Sequence, residues 1–156
     1  MTNPDLLLNV ITVMFSTILP FIELRGAIPI ALALGFSPME SLLLTVPANS
    51  ILFIPLYFFL NSFYERYFSK IRLARAIVSR SQRMGGNYVK RYGLLGLVVL
   101  AAIPLPFFGV YSAAMVSWLL KMDWRYSSIA VAIGILLEGI VVLGLSLGII
   151  AILPKI

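Results

Sequence analysis

The chain of 156 residues has no cysteine, no histidine and only six acidic residues. The missing cysteines exclude disulfide bonds and thiolate chemistry, and the missing histidines remove the commonest metal ligand and the usual general base near neutral pH. Hydrophobic residues make up 61% of the chain and charged residues 12%, whereas about a quarter of a soluble domain is charged. A soluble fold of this length cannot bury so much apolar surface. We therefore expect an all-α integral membrane protein that binds no cofactor, metal ion or nucleic acid.

Basic residues are concentrated in the middle of the chain, where eight of the twelve lie in a segment at 62–92. The positive-inside rule predicts that this segment is cytoplasmic and that the protein spans the cytoplasmic membrane of the cell. It separates two apolar halves at 1–61 and 93–156. Apolar side chains recur at helical spacing from Tyr64 to Val78, which predicts an amphipathic helix on the inner leaflet. The alternative is a plain topology signal with no role in recognition.

Four apolar segments are long enough to meet the bilayer, and two of them are broken in the middle. Segments 40–61 and 126–153 reach the length of about 20 residues that a spanning helix needs. Segments 6–34 and 93–120 are broken in the middle by proline and polar residues. Each broken segment is either one kinked span or a re-entrant hairpin that enters and leaves by the same face. Charge favours the hairpins, because they keep the basic turn at 121–125 in the cytoplasm.

The two halves align without gaps when Pro20 is placed on Pro106, an offset of 86 residues. Each half then contains a broken segment, a short turn and a long span. With hairpins in both halves, the two repeats are inverted in the membrane, which is typical of transporters with a site near the midplane. The predicted fold is therefore an inverted repeat of a re-entrant helical hairpin plus a transmembrane helix, with a basic amphipathic cytoplasmic helix between the repeats.

Charged residues inside the apolar segments are the first candidates for a site. Glu23 and Arg25 lie in the first break and Glu138 lies in the last span, and ionisable residues within a bilayer are read as functional by default. Arg25 suits a phosphate or carboxylate, and Gly26 allows a ligand to come close. We expect the next half-helix to begin near Ala27 and to direct its positive end at the same place. The alternative is a structural ion pair of Arg25 with either glutamate.

Proton transfer within the membrane has two candidate carriers, Glu23 and Glu138, because the chain has no histidine. For Glu138, the alternative is an interhelical hydrogen bond made by a neutral acid. Asn49, inside a predicted span, is either an interhelical hydrogen-bonding group or a substrate contact. Further candidate substrate contacts in the second hairpin are Tyr111 and Ser112.

The sequence from Pro20 to Pro29, Pro-Phe-Ile-Glu-Leu-Arg-Gly-Ala-Ile-Pro, together with Pro104-Leu-Pro106, resembles the small multi-drug export protein family. The architecture also resembles the DedA and VTT-domain membrane proteins. The first resemblance implies transport, and the second implies inverted re-entrant hairpins that move or scramble lipids, including polyprenyl-phosphate carriers. The resemblance of these motifs also implies which residues bind substrate. They are Glu23, Arg25 and Gly26 in the first hairpin, and Pro104 and Pro106 in the second.

We expect a small multi-pass transporter that is proton-coupled and moves an amphipathic substrate, with an anionic lipid such as polyprenyl phosphate favoured. One alternative is an exporter of cationic amphipathic drugs, which an unpaired Glu23 or Glu138 would bind. Another is a non-transporting protein whose basic helix docks a cytosolic partner or anionic lipid. An enzyme is disfavoured, because the sequence shows no nucleophile–base pair or metal set. Expected partners are membrane lipids and a second copy. The small-residue pattern of Gly144 and Gly148 predicts close helix packing, either within the chain or between two copies.

Overall fold

A computed structural model describes residues 4–20, 22–63, 92–105 and 108–152. Within these ranges the chain forms six α-helices and no strand, which confirms the all-α prediction. The amphipathic helix that the sequence predicts from Tyr64 to Val78 lies outside the described residues. In chain order the helices are α1 (Pro4–Ile18), α2 (Glu23–Ala33), α3 (Pro38–Phe63), α4 (Leu94–Ala102), α5 (Val110–Leu119) and α6 (Trp124–Ile152).

Two helices, α3 and α6, are long and apolar enough to cross a membrane. They contain 26 and 29 residues, and at 1.5 Å per residue they extend about 39 and 44 Å, beyond the bilayer core of roughly 30 Å. The two helices pack against each other. Many large apolar side chains on the outside of the bundle are exposed, such as Leu95, Leu43 and Phe15. These features indicate a membrane protein and agree with the spans predicted at 40–61 and 126–153.

The other four helices are too short to cross a bilayer alone. The longest, α1, has 15 residues and extends about 22 Å. Residues 19–22 separate α1 from α2, and residues 103–109 separate α4 from α5. Helix α1 nevertheless packs against α2, and α4 against α5. Helices that follow one another make such contacts when the chain folds back at the break between them.

Helices α2 and α5 lead from the breaks to opposite ends of α3. Helix α2 is followed by a short turn at 34–37 and then directly by the N-terminus of α3. The end of α5 lies beside the other end of α3, because the Tyr57 hydroxyl donates a hydrogen bond to the Met122 carbonyl oxygen at 2.8 Å. The rings of Phe58 and Trp124 also lie 5.6 Å apart there. The two breaks therefore lie within the bundle, between its two ends.

The first break is shorter than the sequence predicts. We expected it to extend from Pro20 to Pro29, with a half-helix that begins near Ala27, but α2 already begins at Glu23 and contains Pro29. Proline weakens a helix by removing one hydrogen bond, but tertiary packing supplies most helical stability in proteins. Here one face of α2 is fully buried, including Leu24 and Ile28. The burial of this face stabilises α2 enough for the helix to continue through Pro29.

Close packing of α4 against α6 depends on Gly134. A Cβ atom built at this residue would lie 2.5 Å from the Val98 carbonyl oxygen and 2.6 Å from the Ala101 Cβ. Gly144 and Gly148 differ, because a Cβ at either position would meet no atom within 4 Å among the described residues. The small-residue pattern of α6 therefore makes no close contact within the described part of the chain. A contact with a second copy stays a prediction.

Candidate functional site

Arg25 lies at the centre of three polar contacts that join two helices and a break. Its Nε donates a hydrogen bond to Glu138 Oε1 at 2.9 Å, and its Nη2 donates one to the Phe108 carbonyl oxygen at 2.9 Å. Nη2 also lies 3.7 Å from Glu23 Oε2. Both ion pairs that the sequence allowed are therefore present together. We call Glu23, Arg25 and Glu138 the charge cluster.

The charge cluster is largely withdrawn from the surface. The side chain of Glu138 is fully buried, that of Glu23 is 6% exposed and that of Arg25 is 19% exposed. One buried oxygen of each carboxylate has no hydrogen bond among the described residues. Each of these oxygens is able to accept a proton or a further hydrogen bond. The three charges are thus paired and largely buried, but one oxygen of each carboxylate is left without a hydrogen bond. Arg25 is the most exposed of the three side chains.

The backbone at both breaks adopts the left-handed region next to the cluster. Glu23 has φ of +41° and Gly109 has φ of +100°. A side chain at residue 109 would overlap the carboxylate of Glu23. Sequence reasoning missed this role of Gly109, although the offset of 86 residues places Gly109 on Glu23. Left-handed φ is costly for a residue other than glycine, so the buried environment holds Glu23 in its position.

Two helix N-termini converge on the cluster. Glu23 is the first residue of α2, and Gly109 is the N-cap of α5. Each helix N-terminus contributes about half of a positive elementary charge. Together with the guanidinium, the two N-termini supply about as much positive charge as two ionised carboxylates supply negative charge. Protonation of one carboxylate would therefore leave the site with an excess of about one positive charge.

Comparison with known proteins gives one family match. The model of a family described as "Putative small multi-drug export protein" matches residues 23–141, about three quarters of the chain. The chain belongs to this family. No curated protein and no solved structure matches it. The matched range contains all three residues of the charge cluster. The family description indicates a transporter rather than an enzyme, and export agrees with the two long apolar helices.

Tyr111 and Ser112, two predicted site residues, donate hydrogen bonds to different parts of the chain. The Tyr111 hydroxyl donates a hydrogen bond to the carbonyl oxygen of Ile18, at the end of α1. It therefore joins the start of α5 to the first break. The Ser112 hydroxyl instead donates to the Gly109 carbonyl oxygen at 3.1 Å, and so supports the local turn. Both lie at the start of α5.

Of the remaining predicted site residues, Gly26, Asn49 and Pro104 are described, and none of these three is hydrogen-bonded to the charge cluster. The space where a Cβ of Gly26 would lie is taken by the Ile22 side chain, so this glycine permits close packing within the first turn of α2. Pro104 lies in the second break, whereas Pro106 lies outside the described residues. Asn49 is fully buried in α3. Neither atom of its amide has a hydrogen-bond partner among the described residues, so no interhelical bond is formed there.

Among residues 4–20, 22–63, 92–105 and 108–152, no three acidic, histidine or cysteine side chains are grouped closely enough to hold an ion. The cluster has two carboxylates, but Arg25 already lies between them. A guanidinium between two carboxylates is able to bind charged groups, and each carboxylate has a buried oxygen that is able to accept a proton.

Proposed function

We propose that the chain is a proton-linked membrane transporter in which two re-entrant hairpins present the charge cluster near the bilayer midplane. The hairpins are α1–α2 and α4–α5. Three observations support them: each member is too short to span, the consecutive helices pack together, and α2 and α5 lead to opposite ends of α3. Helix ends that meet inside a membrane are tolerated where protein surrounds them, as it does at this cluster.

An inverted repeat explains why unusual backbone conformations recur. Left-handed φ angles occur at Glu23 and Gly109, and again at Gly35 and Lys121. The members of each pair are 86 residues apart, which is the offset that aligns Pro20 with Pro106. The same helix–turn–helix connection therefore occurs once in each half. This supports an inverted repeat whose halves begin near residues 1 and 93, in the arrangement that the DedA resemblance implies.

The substrate that we favour is an amphipathic anion with a phosphate headgroup, such as a polyprenyl phosphate. The observation that carries this proposal is the convergence of two helix N-termini on Arg25, a combination that binds anions in other proteins. In this structure the carboxylates of Glu23 and Glu138 occupy that positive site. Protonation of one carboxylate would free part of Arg25 for the phosphate, so the anion would move together with a proton.

Export of a cationic amphipathic drug is the second candidate. It is favoured by the two carboxylates that face a single guanidinium and by the oxygen that each leaves without a hydrogen bond. A cation would take the place of a proton at Glu23 or Glu138. Against it stands the positive potential of both helix N-termini, which opposes a second cation next to Arg25.

We propose that the protein lies in the cytoplasmic membrane. In this orientation the segment at 62–92 and the turn at 120–123 face the cytoplasm, and the turn at 34–37 faces the outside. Lys121 and Arg125 lie at or beside the cytoplasmic turn. Membrane lipids then contact both the bundle and the basic segment. A protein that only docks partners through the basic segment would not need a buried charge cluster, so transport explains more of the structure.

Transport is tested with the purified protein in liposomes that carry an imposed pH gradient. Two probes are compared: a fluorescent short-chain prenyl phosphate and the cationic dye ethidium. We expect a pH gradient to drive the phosphate probe, Arg25→Gln to abolish its movement, and Glu23→Gln or Glu138→Gln to remove the dependence on the gradient. Glu40→Gln, an exposed carboxylate at the start of α3, is the matched control and should transport normally.

Competition between the two probes separates the substrates. If the prenyl phosphate blocks ethidium movement and is itself moved only when Arg25 is present, the anion site is supported. Full movement of the phosphate by folded Arg25→Lys and Arg25→Gln variants would exclude an anion site at Arg25. Movement of ethidium alone, lost in Glu23→Gln, would favour the exporter of cations.

A further inference from the structure

Buried polar side chains of α3, α5 and α6, apart from Glu138, fall into two groups. In the first group each hydroxyl donates a hydrogen bond to the backbone carbonyl oxygen four residues before it. In the second group no polar side-chain atom has a hydrogen-bond partner within the described part of the chain. The first group is Ser41, Thr45 and Ser146, and the second is Asn49, Ser117 and Ser127.

The second group extends towards one end of the bundle, the end at the turn of residues 120–123. The C-terminal part of α3 reaches this turn through the hydrogen bond between Tyr57 and Met122. Ser117 lies one turn before it, since the Met122 N–H donates to the Ser117 carbonyl oxygen at 3.0 Å. Ser127 lies one turn after it, with its N–H bonded to the Asp123 carbonyl oxygen at 3.0 Å. Both serines therefore belong to the 120–123 end.

Asn49 lies between the charge cluster and the 120–123 end. Gly139 follows Glu138 directly, and a Cβ at Gly139 would lie 3.0 Å from Val46 Cγ2. Asn49 follows Val46 by about one helical turn and precedes Tyr57 by about two turns, or about 12 Å. Along the bundle, the unpartnered groups therefore lie at successive levels, from about one helical turn beyond the level of Gly139 to the turn at 120–123.

The first group lies at the level of the cluster or on its other side. Ser41 and Thr45 belong to the first turns of α3, and Ser146 lies about two turns beyond Glu138 along α6, away from Trp124. In these positions each hydroxyl donates to the carbonyl oxygen four residues before it and offers no free donor. Apart from Glu138, the buried polar side chains of α3, α5 and α6 without a hydrogen-bond partner in the described part of the chain thus lie in the half of the bundle that faces the 120–123 end.

A buried polar group without a partner costs about 1–3 kcal/mol. Proteins usually avoid this cost by binding internal water, which forms two to four hydrogen bonds with such groups. Asn49 offers a carbonyl oxygen and an amide nitrogen, and each serine offers a hydroxyl. Water molecules that bridge these groups would form a continuous hydrogen-bonded connection through an otherwise apolar interior.

We propose that Asn49, Ser117 and Ser127 line an internal water path that carries protons between Glu138 and the 120–123 end of the bundle. This inference rests on the proposed exchange of protons at the charge cluster. On the opposite side, the buried hydroxyls of α3 and α6 already donate to backbone carbonyl oxygens. In the proposed path the cluster therefore exchanges protons with the 120–123 end, which is the cytoplasm in the orientation proposed above.

Water along this path is tested by thiol reactivity, for which the chain is well suited because it has no native cysteine. Six variants each carry one thiol. In liposomes each is treated with methyl methanethiosulfonate, a small membrane-permeant reagent that reacts with the thiolate, a form that needs water. The thiols that remain are counted with a fluorescent maleimide after denaturation. The path variants are Asn49→Cys, Ser117→Cys and Ser127→Cys, and the matched controls are Ser41→Cys, Thr45→Cys and Ser146→Cys.

We expect the path variants to react about tenfold faster than the controls, because the thiolate fraction sets the rate. Equal rates in the two groups, or faster reaction of the controls, would overturn the path. In a second experiment, proton flux through the protein in liposomes should fall about tenfold in Asn49→Leu and persist in Asn49→Ser and in Thr45→Val. Full flux in a folded Asn49→Leu variant would also refute the path. If the unmodified protein shows no proton flux, the proposed function fails, whereas the thiol pattern still decides whether the path is hydrated.

Discussion

The carboxylate of Glu23 occupies the space that a side chain at residue 109 would need. Gly109 has φ of +100° and forms the N-cap of α5, while Glu23 has φ of +41° and begins α2. The two residues are equivalent in the proposed repeat, yet they touch each other. Equivalent residues that meet must lie at the axis that relates the two halves. The proposed repeat therefore predicts that the charge cluster lies at the pseudo-symmetry axis, where one half contributes the Glu23 side chain and the other contributes a glycine.

Gly109→Ala is expected to destabilise the protein through both the backbone and the carboxylate. The left-handed φ alone costs about 1–3 kcal/mol for an alanine, and the Cβ displaces Glu23 from Arg25. A double-mutant cycle with Glu23→Ala separates the two causes, because the backbone cost is the same in both backgrounds. We expect a coupling free energy of about 1 kcal/mol or more, measured by unfolding with SDS in detergent micelles. Additive changes in the unfolding free energy would mean that the position of the Glu23 carboxylate does not require a glycine at residue 109.

The sequence predicts the members of the charge cluster but not their geometry. Glu23, Arg25 and Glu138 stand out because charges are rare in apolar segments, and that signal needs no structure. The contact between Arg25 and Glu138 joins residues 113 positions apart, a separation at which local patterns carry no information. The hydrogen bond from Arg25 to the Phe108 carbonyl oxygen involves a backbone group, which any residue type provides. It was therefore invisible in the sequence.

Arg25→Gln is expected to be the most destabilising substitution within the charge cluster. It leaves two buried carboxylates without a countercharge, and breaking a buried ion pair in this way costs about 3–5 kcal/mol. Glu138→Gln should cost less, about 1–3 kcal/mol, because its carbonyl oxygen still accepts from Nε and Glu23 still balances Arg25. Glu23→Gln should have the smallest effect, since Glu23 lies 3.7 Å from Arg25 without a hydrogen bond. Thermal unfolding in detergent measures this order, and equal stability of all three variants would contradict it.

Helix boundaries were less predictable than the site. The break at Pro104 agrees with expectation, since Ile103 is extended, as a residue before proline usually is. Pro29, with the same chemistry, lies inside α2 because the buried face of that helix stabilises it. A sequence shows where proline occurs, but burial decides whether the helix continues through it. The proposed hairpins also depend on contacts between α1 and α2 and between α4 and α5, which no local pattern specifies.

Tyr111→Phe is expected to loosen the connection between the two breaks. The variant keeps the ring but loses the hydrogen bond to the Ile18 carbonyl oxygen at the end of α1. The loss should be about 1 kcal/mol. Tyr126→Phe is the matched control, because the Tyr126 side chain is exposed and its substitution should leave the melting temperature unchanged. A Tyr111→Phe variant as stable as this control would show that the Tyr111 hydrogen bond contributes nothing.

Glycines of α6 are expected to differ sharply in their tolerance of alanine. At Gly134 a Cβ would meet the Val98 carbonyl oxygen at 2.5 Å, so Gly134→Ala must push α4 away from α6 and should cost about 1–3 kcal/mol, as overpacking does. At Gly148 a Cβ meets no atom within 4 Å among the described residues, and alanine improves the helix by up to about 1 kcal/mol. Melting temperatures measured in detergent should fall for Gly134→Ala and stay level or rise for Gly148→Ala. A melting temperature of Gly148→Ala that falls, and that depends on protein concentration, would instead reveal a second copy packed on this face. Dissociation of the two copies would then contribute to the loss of stability.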